Sequence, residues 1–135
     1  MNKYEEAFSK FNLSQSDSEV SELVKKVLMK SGENKNEEVL KLIYSCIDLT
    51  SLNTSDGKES IYKFVEKVND FDGTRSDMGN VAAICVYPNF VSVVREALTD
   101  SKVKIASVAA GFPASQTLIE VKTVEEALAL ADGAD

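Results

Sequence analysis

The sequence predicts an α/β domain built around a parallel sheet. Three short apolar segments alternate with segments in which apolar residues recur at helical spacing. This alternation is typical of parallel strands joined by right-handed helical crossovers. The pattern alone fits two architectures, a doubly wound sheet and a (β/α)8 barrel. No glycine-rich phosphate-binding motif follows a predicted strand, which disfavours the nucleotide-binding form of the doubly wound sheet.

The first 45 residues are predicted to form a helical extension. Ser16 or Ser18 can cap an amphipathic helix that Gly32 can end, and a second short helix begins near Asn36. The stripe of the first helix follows the i, i+3, i+4, i+7 spacing and consists of Val20, Leu23, Val24, Val27 and Leu28.

The first predicted strand-and-helix unit begins at "SCIDLT", a short apolar and partly β-branched segment. Thr54 is the predicted N-cap of the helix that follows. The stripe of that helix contains Ile61, Phe64, Val65 and Val68. The polar, glycine-containing stretch "NDFDGTRSDMG" is predicted to be a loop.

The second and third units follow directly. "NVAAICVY" is a nearly continuous apolar run, typical of a strand covered on both faces. Pro88 suits the first turn of the next helix. The third strand is predicted at "KVKIASVAAG", and the loop "GFPASQ" leads to a helix from about Thr117 to Asp132.

Composition narrows the classes of function. The chain has 135 residues, of which 44% are hydrophobic and 27% charged, as expected for one ordinary domain. No apolar run approaches the roughly 18–20 residues that span a bilayer, and the N-terminus lacks the apolar core of a secretory signal. The net charge of −7, without a basic stripe, argues against a nucleic-acid partner.

The chemistry available to the chain is limited by its residue types. There is no histidine, which excludes Ser-His-Asp and Cys-His mechanisms and disfavours most zinc sites. Two cysteines without CxxC spacing predict reduced thiols and a cytoplasmic location. Catalysis would therefore depend on carboxylate, lysine, tyrosine or cysteine side chains.

Three segments carry a resemblance to a known family. "CIDLTSLN", "NVAAICVYPNF" and "KIASVAAGFPASQTLIEVKTVEEALALADGAD" resemble the deoxyribose-phosphate aldolases, which are class I aldolases with a (β/α)8 barrel. The resemblance runs from about Cys46 to the last residue. It implies that residues 46–135 are the first three βα units of a TIM barrel, truncated at the C-terminus, and that residues 1–45 precede them. The apolar stripe of the extension would then cover the bottom of the barrel or a subunit contact.

The family resemblance implies a lyase that acts in deoxyribonucleotide catabolism and carbohydrate degradation. Such an enzyme reversibly cleaves 2-deoxy-D-ribose 5-phosphate to D-glyceraldehyde 3-phosphate and acetaldehyde through a lysine Schiff base. Its substrate is a small phosphorylated sugar; no metal or organic cofactor and no membrane partner is implied, and a homo-oligomer is compatible. The Schiff-base lysine, a second lysine and an aspartate are expected beyond Asp135, so this chain alone is expected to be inactive.

Two other interpretations remain open at this stage. The chain could be a non-catalytic partner module with an open sheet edge, or part of another sugar-phosphate barrel enzyme. An unprotected strand edge favours association with other chains.

The candidate site residues come from strand alternation together with the resemblance. Alternation puts Asp48 and Thr50 on one face of the first strand, and Cys85 on the face opposite Ile84 and Val86. Spacing alone favours a structural hydrogen bond for Asp48 and core packing for Cys85. The resemblance implies that Asp48 supports a proton relay and that Cys85 is a pocket wall with a reactive thiol, not a nucleophile.

Two loop residues and two lysines complete the set. The resemblance implies that Thr50, Leu52 and Phe112 line the substrate pocket with Cys85, although each loop residue taken alone more often serves loop packing. Lys104 lies at the wrong end of its strand for a barrel site. Lys122 lies among glutamates on a helix. Neither is expected to form the Schiff base.

Overall fold

The structure is a computed structural model that describes residues 2–11, 13–75 and 77–135, with the side chains of residues 72 and 73 outside the description. Contacts divide the chain into two units, Met1–Leu40 and Lys41–Asp135. The boundary predicted after residue 45 stays a prediction.

The first unit is helical. Ser16 caps the second helix as predicted: its hydroxyl accepts the Glu19 N–H at 3.3 Å, and the Glu19 carboxylate accepts the Ser16 N–H at 2.7 Å. That helix ends before Gly32, and a 3-10 turn follows it. The elements that begin in this unit are α1 (Lys3–Phe8), α2 (Asp17–Lys30), the 3-10 turn (Ser31–Asn34) and α3 (Glu37–Ser45).

The second unit confirms the three predicted strand-and-helix units. In the described part of the chain, three parallel strands lie in the order β1-β2-β3. The strands are β1 (Asp48–Thr50), β2 (Ala83–Val86) and β3 (Lys104–Ser107). The helices are α4 (Lys58–Thr74), α5 (Val91–Ala97), which follows a 3-10 turn at Pro88–Phe90, and α6 (Ile119–Ala131).

One face of the sheet carries the hydrophobic core. The register pairs Leu49 with Ile84 and Ile84 with Ile105, so these three aliphatic side chains form a row across the sheet. Ile84 and Ile105 are at most 1% exposed. Burying aliphatic area in this way is the main source of stability for a parallel sheet. The helical residues of the same core include Ile61, Val65, Val91 and Val94.

The other face of the sheet, called the uncovered face below, exposes Asp48 and Thr50, although Cys85 on the same face is buried. The register pairs Asp48 with Ala83 and Thr50 with Cys85, and the two β1 side chains are exposed. The alternation predicted from the sequence is therefore observed, with aliphatic residues toward the helices and Asp48, Thr50 and Cys85 on the opposite side.

Helix α4 differs from the prediction at both ends. It begins after Gly57, whose N–H is accepted by the Ser60 hydroxyl at 2.9 Å, and not after Thr54. It also continues to Thr74, through the first part of the segment that was predicted to be a loop. Ser76, later in that segment, lies outside the described residues. Tertiary contacts explain the longer helix. The Phe71 ring stacks on Tyr44 with centroids 4.8 Å apart.

Asn69 supplies a further contact at the C-terminal end of α4. Its amide group donates to the Ala97 carbonyl at 2.8 Å and accepts the Thr99 N–H at 3.0 Å. Asn69 thereby satisfies backbone groups at the end of α5. Such long-range contacts override the weak local helix preference of a polar, glycine-containing sequence.

None of the helices in the described ranges combines the length and the apolar character needed to cross a bilayer.

Candidate functional site

The candidate site lies at the carboxyl ends of the three strands. Parallel strands present their carboxyl ends, and the loops that follow them, at the same edge of the sheet. The first loop connects β1 to α4, and the third loop connects β3 to α6. Every residue that the sequence proposes for the site belongs either to the uncovered sheet face or to one of these two loops.

Asp48, Thr50 and Cys85 are brought together on the uncovered face. Thr50 is paired in register with Cys85 across β1 and β2, so their side chains lie on the same face of the sheet. The Thr50 hydroxyl also lies 3.1 Å from the backbone oxygen of Asp48. Asp48 is exposed in this structure.

The environment of Cys85 favours the neutral thiol. Cys85 is 8% exposed, and burial is the largest cause that raises the pKa of its thiol. The negative charge of Asp48 raises this pKa further, while the Thr50 side chain lowers it. A raised pKa reduces the thiolate fraction, which is the reactive form. This environment is compatible with a pocket wall and does not favour a thiol of enhanced reactivity.

The first loop is organised around Asp56. Its carboxylate accepts the Ser51 hydroxyl at 2.8 Å and the Asn53 N–H at 2.9 Å. Burial opposes ionisation of Asp56, but the hydrogen bonds from Ser51 and Asn53 outweigh it and lower the pKa of this carboxyl. The Ser51 N–H also donates to the Cys85 carbonyl at 3.0 Å. These bonds fix the backbone on both sides of Leu52, which is half-buried.

The third loop carries Phe112. Its ring lies against Tyr87, with centroids 6.4 Å apart and planes inclined by 56°. Tyr87 follows β2 directly and comes two residues after Cys85. Phe112 is 45% exposed. The Gly111 N–H, immediately before it, is accepted by the Glu125 carboxylate of α6 at 2.9 Å.

The predicted residues thus fall into three places. Asp48, Thr50 and Cys85 form one cluster, Leu52 lies on the loop after it, and Phe112 lies on a different loop beside Tyr87. Their roles in a substrate pocket stay predictions.

The two disfavoured lysines lie elsewhere. Lys104 begins β3, in the register row that also contains Ala83 and Asp48, and its amine pairs with Asp135 at 3.2 Å. Lys122 lies on α6 and is half-buried.

Sequence reasoning missed Asp56 and Glu125 as residues that organise the two loops. The polar spacing of Ser51, Asn53 and Asp56 could have indicated the first, because short Asx and serine side chains commonly bond nearby backbone groups. Glu125 is 14 residues from its partner Gly111, and a contact at that separation has no local sequence signal.

Comparison with known proteins bears on the fold and the family. No family model matches the chain. A Caenorhabditis elegans protein named "Putative deoxyribose-phosphate aldolase" is 29% identical over 118 residues, which are 86% of this chain and 39% of that protein.

Solved structures give the same family name. A protein of that description from Coccidioides immitis matches with a TM-score of 0.58 and 24% identity, over 70% of this chain and 34% of its own. A tetrameric deoxyribose phosphate aldolase from Aeropyrum pernix matches with a TM-score of 0.53 and 24% identity, over 70% and 36%. The chain therefore spans less than two fifths of the length of each of these relatives.

The fold likeness agrees with three βα units of a (β/α)8 barrel, as the sequence predicts. The resemblance drawn from the sequence motifs is confirmed: this chain is similar to the deoxyribose-phosphate aldolases over part of their length.

Proposed function

We propose that this chain supplies part of the substrate pocket of a deoxyribose-phosphate aldolase. The reaction is the reversible cleavage of 2-deoxy-D-ribose 5-phosphate to D-glyceraldehyde 3-phosphate and acetaldehyde. A lysine amine adds to the sugar carbonyl with loss of water, and the resulting iminium accepts the electron pair of the breaking carbon–carbon bond. As this bond breaks, the sugar 3-hydroxyl gives its proton to a base and D-glyceraldehyde 3-phosphate leaves. The enamine formed in this way is then protonated and hydrolysed, which releases acetaldehyde and the free lysine. The lysine is proposed to lie outside this chain.

The observation that carries the proposal is the uncovered sheet face. On this face Thr50 ends β1 and pairs with Cys85, and Asp48 begins β1 two residues earlier. Barrel enzymes place their sites at the carboxyl ends of their strands, where Thr50 lies. Asp48 is proposed to support proton transfer, since an exposed carboxylate can exchange protons with water and with a neighbouring lysine. Thr50, Cys85, Leu52 and Phe112 are proposed as walls of the pocket.

The experiment begins with the 135-residue chain itself. The purified chain is mixed with 2-deoxyribose 5-phosphate and borohydride, and lysine adducts are located by mass spectrometry. We expect no adduct. A reduced imine on Lys104, Lys122 or any other lysine of the chain would contradict the proposed position of the Schiff base.

The second arm fuses the chain to the part of the Aeropyrum pernix relative that the match does not cover. We expect retro-aldol activity and an adduct on a lysine of the added part. Asp48→Asn should lower kcat by about a hundredfold or more, the range usual for loss of an acid–base group. The matched control is Glu59→Gln, since Glu59 is exposed on α4 and pairs with Lys63. A soluble, folded fusion without activity would overturn the proposal.

A second candidate function follows from the outer edge of β3. The Asp135 N–H donates to the Ile105 carbonyl at 2.9 Å, on the side of β3 away from β2. Asp135 occupies the edge at Ile105, so a partner segment is proposed to pair with the rest of this edge, at Ser107. Sedimentation of the chain with and without Ser107→Pro tests it. The substitution removes an N–H that strand alternation directs outward, so association that depends on the edge should decrease.

The cellular setting is a further proposal. Both cysteines, which lie in the described ranges, are free thiols, and this supports a reducing compartment such as the cytoplasm. The proposed reaction would serve the degradation of deoxyribonucleotides. The similar Aeropyrum pernix enzyme is a tetramer, which supports testing the completed protein for a homo-oligomer.

A further inference from the structure

Glu125 joins helix α6 to the third loop. Its Oε2 accepts the Gly111 N–H at 2.9 Å, and both groups are partly buried. The hydrogen bond connects residues 14 positions apart, so it links the loop to a helix rather than stabilising a local turn. A bond from a backbone N–H to an ionised carboxylate is stronger than a bond between two neutral groups.

Gly111 is held in a conformation that few other residues adopt. Its φ is +74°, in the left-handed region. Its carbonyl accepts the Ser115 N–H at 2.7 Å. A Cβ at this position would lie 3.1 Å from the Thr117 Cγ2, closer than ordinary contact. The backbone is therefore held on both sides of the Gly111 Cα, by Glu125 at the Gly111 N–H and by Ser115 at the Gly111 carbonyl.

The conformation of Gly111 sets the position of the Phe112 backbone, from which the ring projects. Phe112 is 45% exposed, and its recorded ring contact is with Tyr87. Burial alone is therefore a weak constraint on this side chain, since nearly half of its surface contacts solvent. The hydrogen bond from Gly111 to Glu125 constrains the backbone from which the Phe112 ring projects.

The first loop uses the same arrangement. There the Asp56 carboxylate accepts the Asn53 N–H, immediately after Leu52, at 2.9 Å. In both loops an acidic side chain holds the backbone next to a predicted pocket wall. The two cases arise from different elements: Asp56 lies within its own loop, whereas Glu125 projects from the helix after its loop.

We infer that Glu125 is a positioning residue that holds the Gly111–Phe112 backbone so that the Phe112 ring stays against Tyr87. Its importance to substrate rests on the proposed function, because that function assigns Phe112 to the pocket wall. The positioning itself is measurable on this chain without any catalytic assay, so the two ideas can fail separately.

The test follows the Gly111 amide and the Phe112–Tyr87 contact by NMR in the full 135-residue chain. Glu125→Ala should accelerate hydrogen exchange at Gly111 by about tenfold or more, the effect expected for loss of one charge-assisted bond. Nuclear Overhauser contacts between the two rings should weaken at the same time. Glu125→Gln should restore both signals, because its side-chain oxygen can still accept the N–H.

Two further variants make the result specific. Glu126→Ala removes the neighbouring, exposed carboxylate of the same helix and should leave both signals unchanged. Glu125→Asp keeps the charge but withdraws the oxygen by one methylene, so it should accelerate exchange even if the alanine variant fails to fold. Unchanged exchange in the folded Ala or Asp variant, or an equal effect of Glu126→Ala, would overturn the inference.

The aldolase fusion then separates this inference from the proposed function. Glu125→Ala should raise KM severalfold with a smaller change in kcat, because it loosens a pocket wall and removes no reacting group. Glu125→Gln should keep the original KM. An equal loss of kcat and kcat/KM would contradict a positioning role. If the NMR signals change as expected while the unsubstituted fusion is inactive, the positioning stands and the aldolase assignment fails.

Discussion

Thr50 and Cys85 lie opposite each other on neighbouring parallel strands, with their Cα atoms paired in register. Burial raises the pKa of the Cys85 thiol most, the charge of Asp48 raises it further, and the Thr50 side chain lowers it. The pKa of the Cys85 thiol is therefore sensitive to both Asp48 and Thr50, which shift it in opposite directions.

Substitutions at Asp48 and Thr50 should move the reactivity of Cys85 in opposite directions. Asp48→Asn removes a negative charge, so the pKa of the thiol should fall and alkylation near neutral pH should accelerate. Thr50→Val removes the hydroxyl that lowers the pKa of the thiol, at nearly constant volume, so alkylation should slow. The measurement is the iodoacetamide rate against pH in a Cys46→Ser background, which leaves one thiol.

The matched control is Asp70→Asn on α4, outside the cluster. Rates that change in the same direction for Asp48→Asn and Thr50→Val would contradict the arrangement described for these three residues.

The central aliphatic row of the sheet should dominate stability. Ile84 is fully buried between Leu49 and Ile105, so Ile84→Ala should cost about 2–5 kcal/mol, the range for large-to-small core substitutions. Ile119→Ala is the control, because Ile119 is 68% exposed. Urea unfolding followed by circular dichroism gives both values. Equal losses for the two variants would contradict the position of the core.

Asn69 should contribute more than a surface polar residue usually does. It bonds both the Ala97 carbonyl and the Thr99 N–H, so Asn69→Ala should destabilise the chain by about 1–3 kcal/mol. Asn69→Asp keeps the acceptor for Thr99 and loses the donor to Ala97, and it should show an intermediate loss in urea unfolding. If both variants unfold at the wild-type midpoint, the contact does not stabilise the end of α5.

Asp135 should make stability depend on pH in the acid range. Its carboxylate accepts the Ile105 N–H at 2.9 Å, the largest cause that lowers its pKa, and it pairs with Lys104 and Arg95. A lowered pKa in the folded state gives stability that is present above the unfolded value of about 3.9. That stability is lost as the pH falls through the folded pKa.

Asp135→Asn should therefore reduce the difference in urea midpoint between pH 6 and pH 2, and the two proteins should converge at the lower pH. Asp17→Asn, at the start of α2, provides a variant with the same change of charge away from this contact. If the urea midpoint of the wild-type protein falls no further between pH 6 and pH 2 than that of Asp135→Asn, the prediction is wrong.

Much of the fold could be predicted because it depends on local patterns. The strand at Ile84 lies in a nearly continuous apolar run, and simple alternation assigned Cys85 to the opposite face. The start of α2 follows from its capping box at Ser16 and Glu19. In these places the propensity of the segment and the tertiary structure agree.

The remaining features depend on contacts between distant residues. Helix α4 continues to Thr74 because Phe71 and Asn69 find partners on α3 and at the end of α5, which the local sequence does not indicate. The hydrogen bond from Gly111 to Glu125 is missed for the same reason. The exposure of Asp48 also could not be predicted, since it depends on what covers the sheet face and not on the residue itself.

The separation of the sheet into two faces has a consequence for how the chain can change. Ile84 and Ile105, which belong to the hydrophobic core, point away from the uncovered face. Substitutions at Asp48 or Thr50 should therefore leave the aliphatic packing intact. A library that randomises Asp48 and Thr50 should therefore retain a high proportion of folded variants, because neither exposed side chain belongs to the aliphatic core.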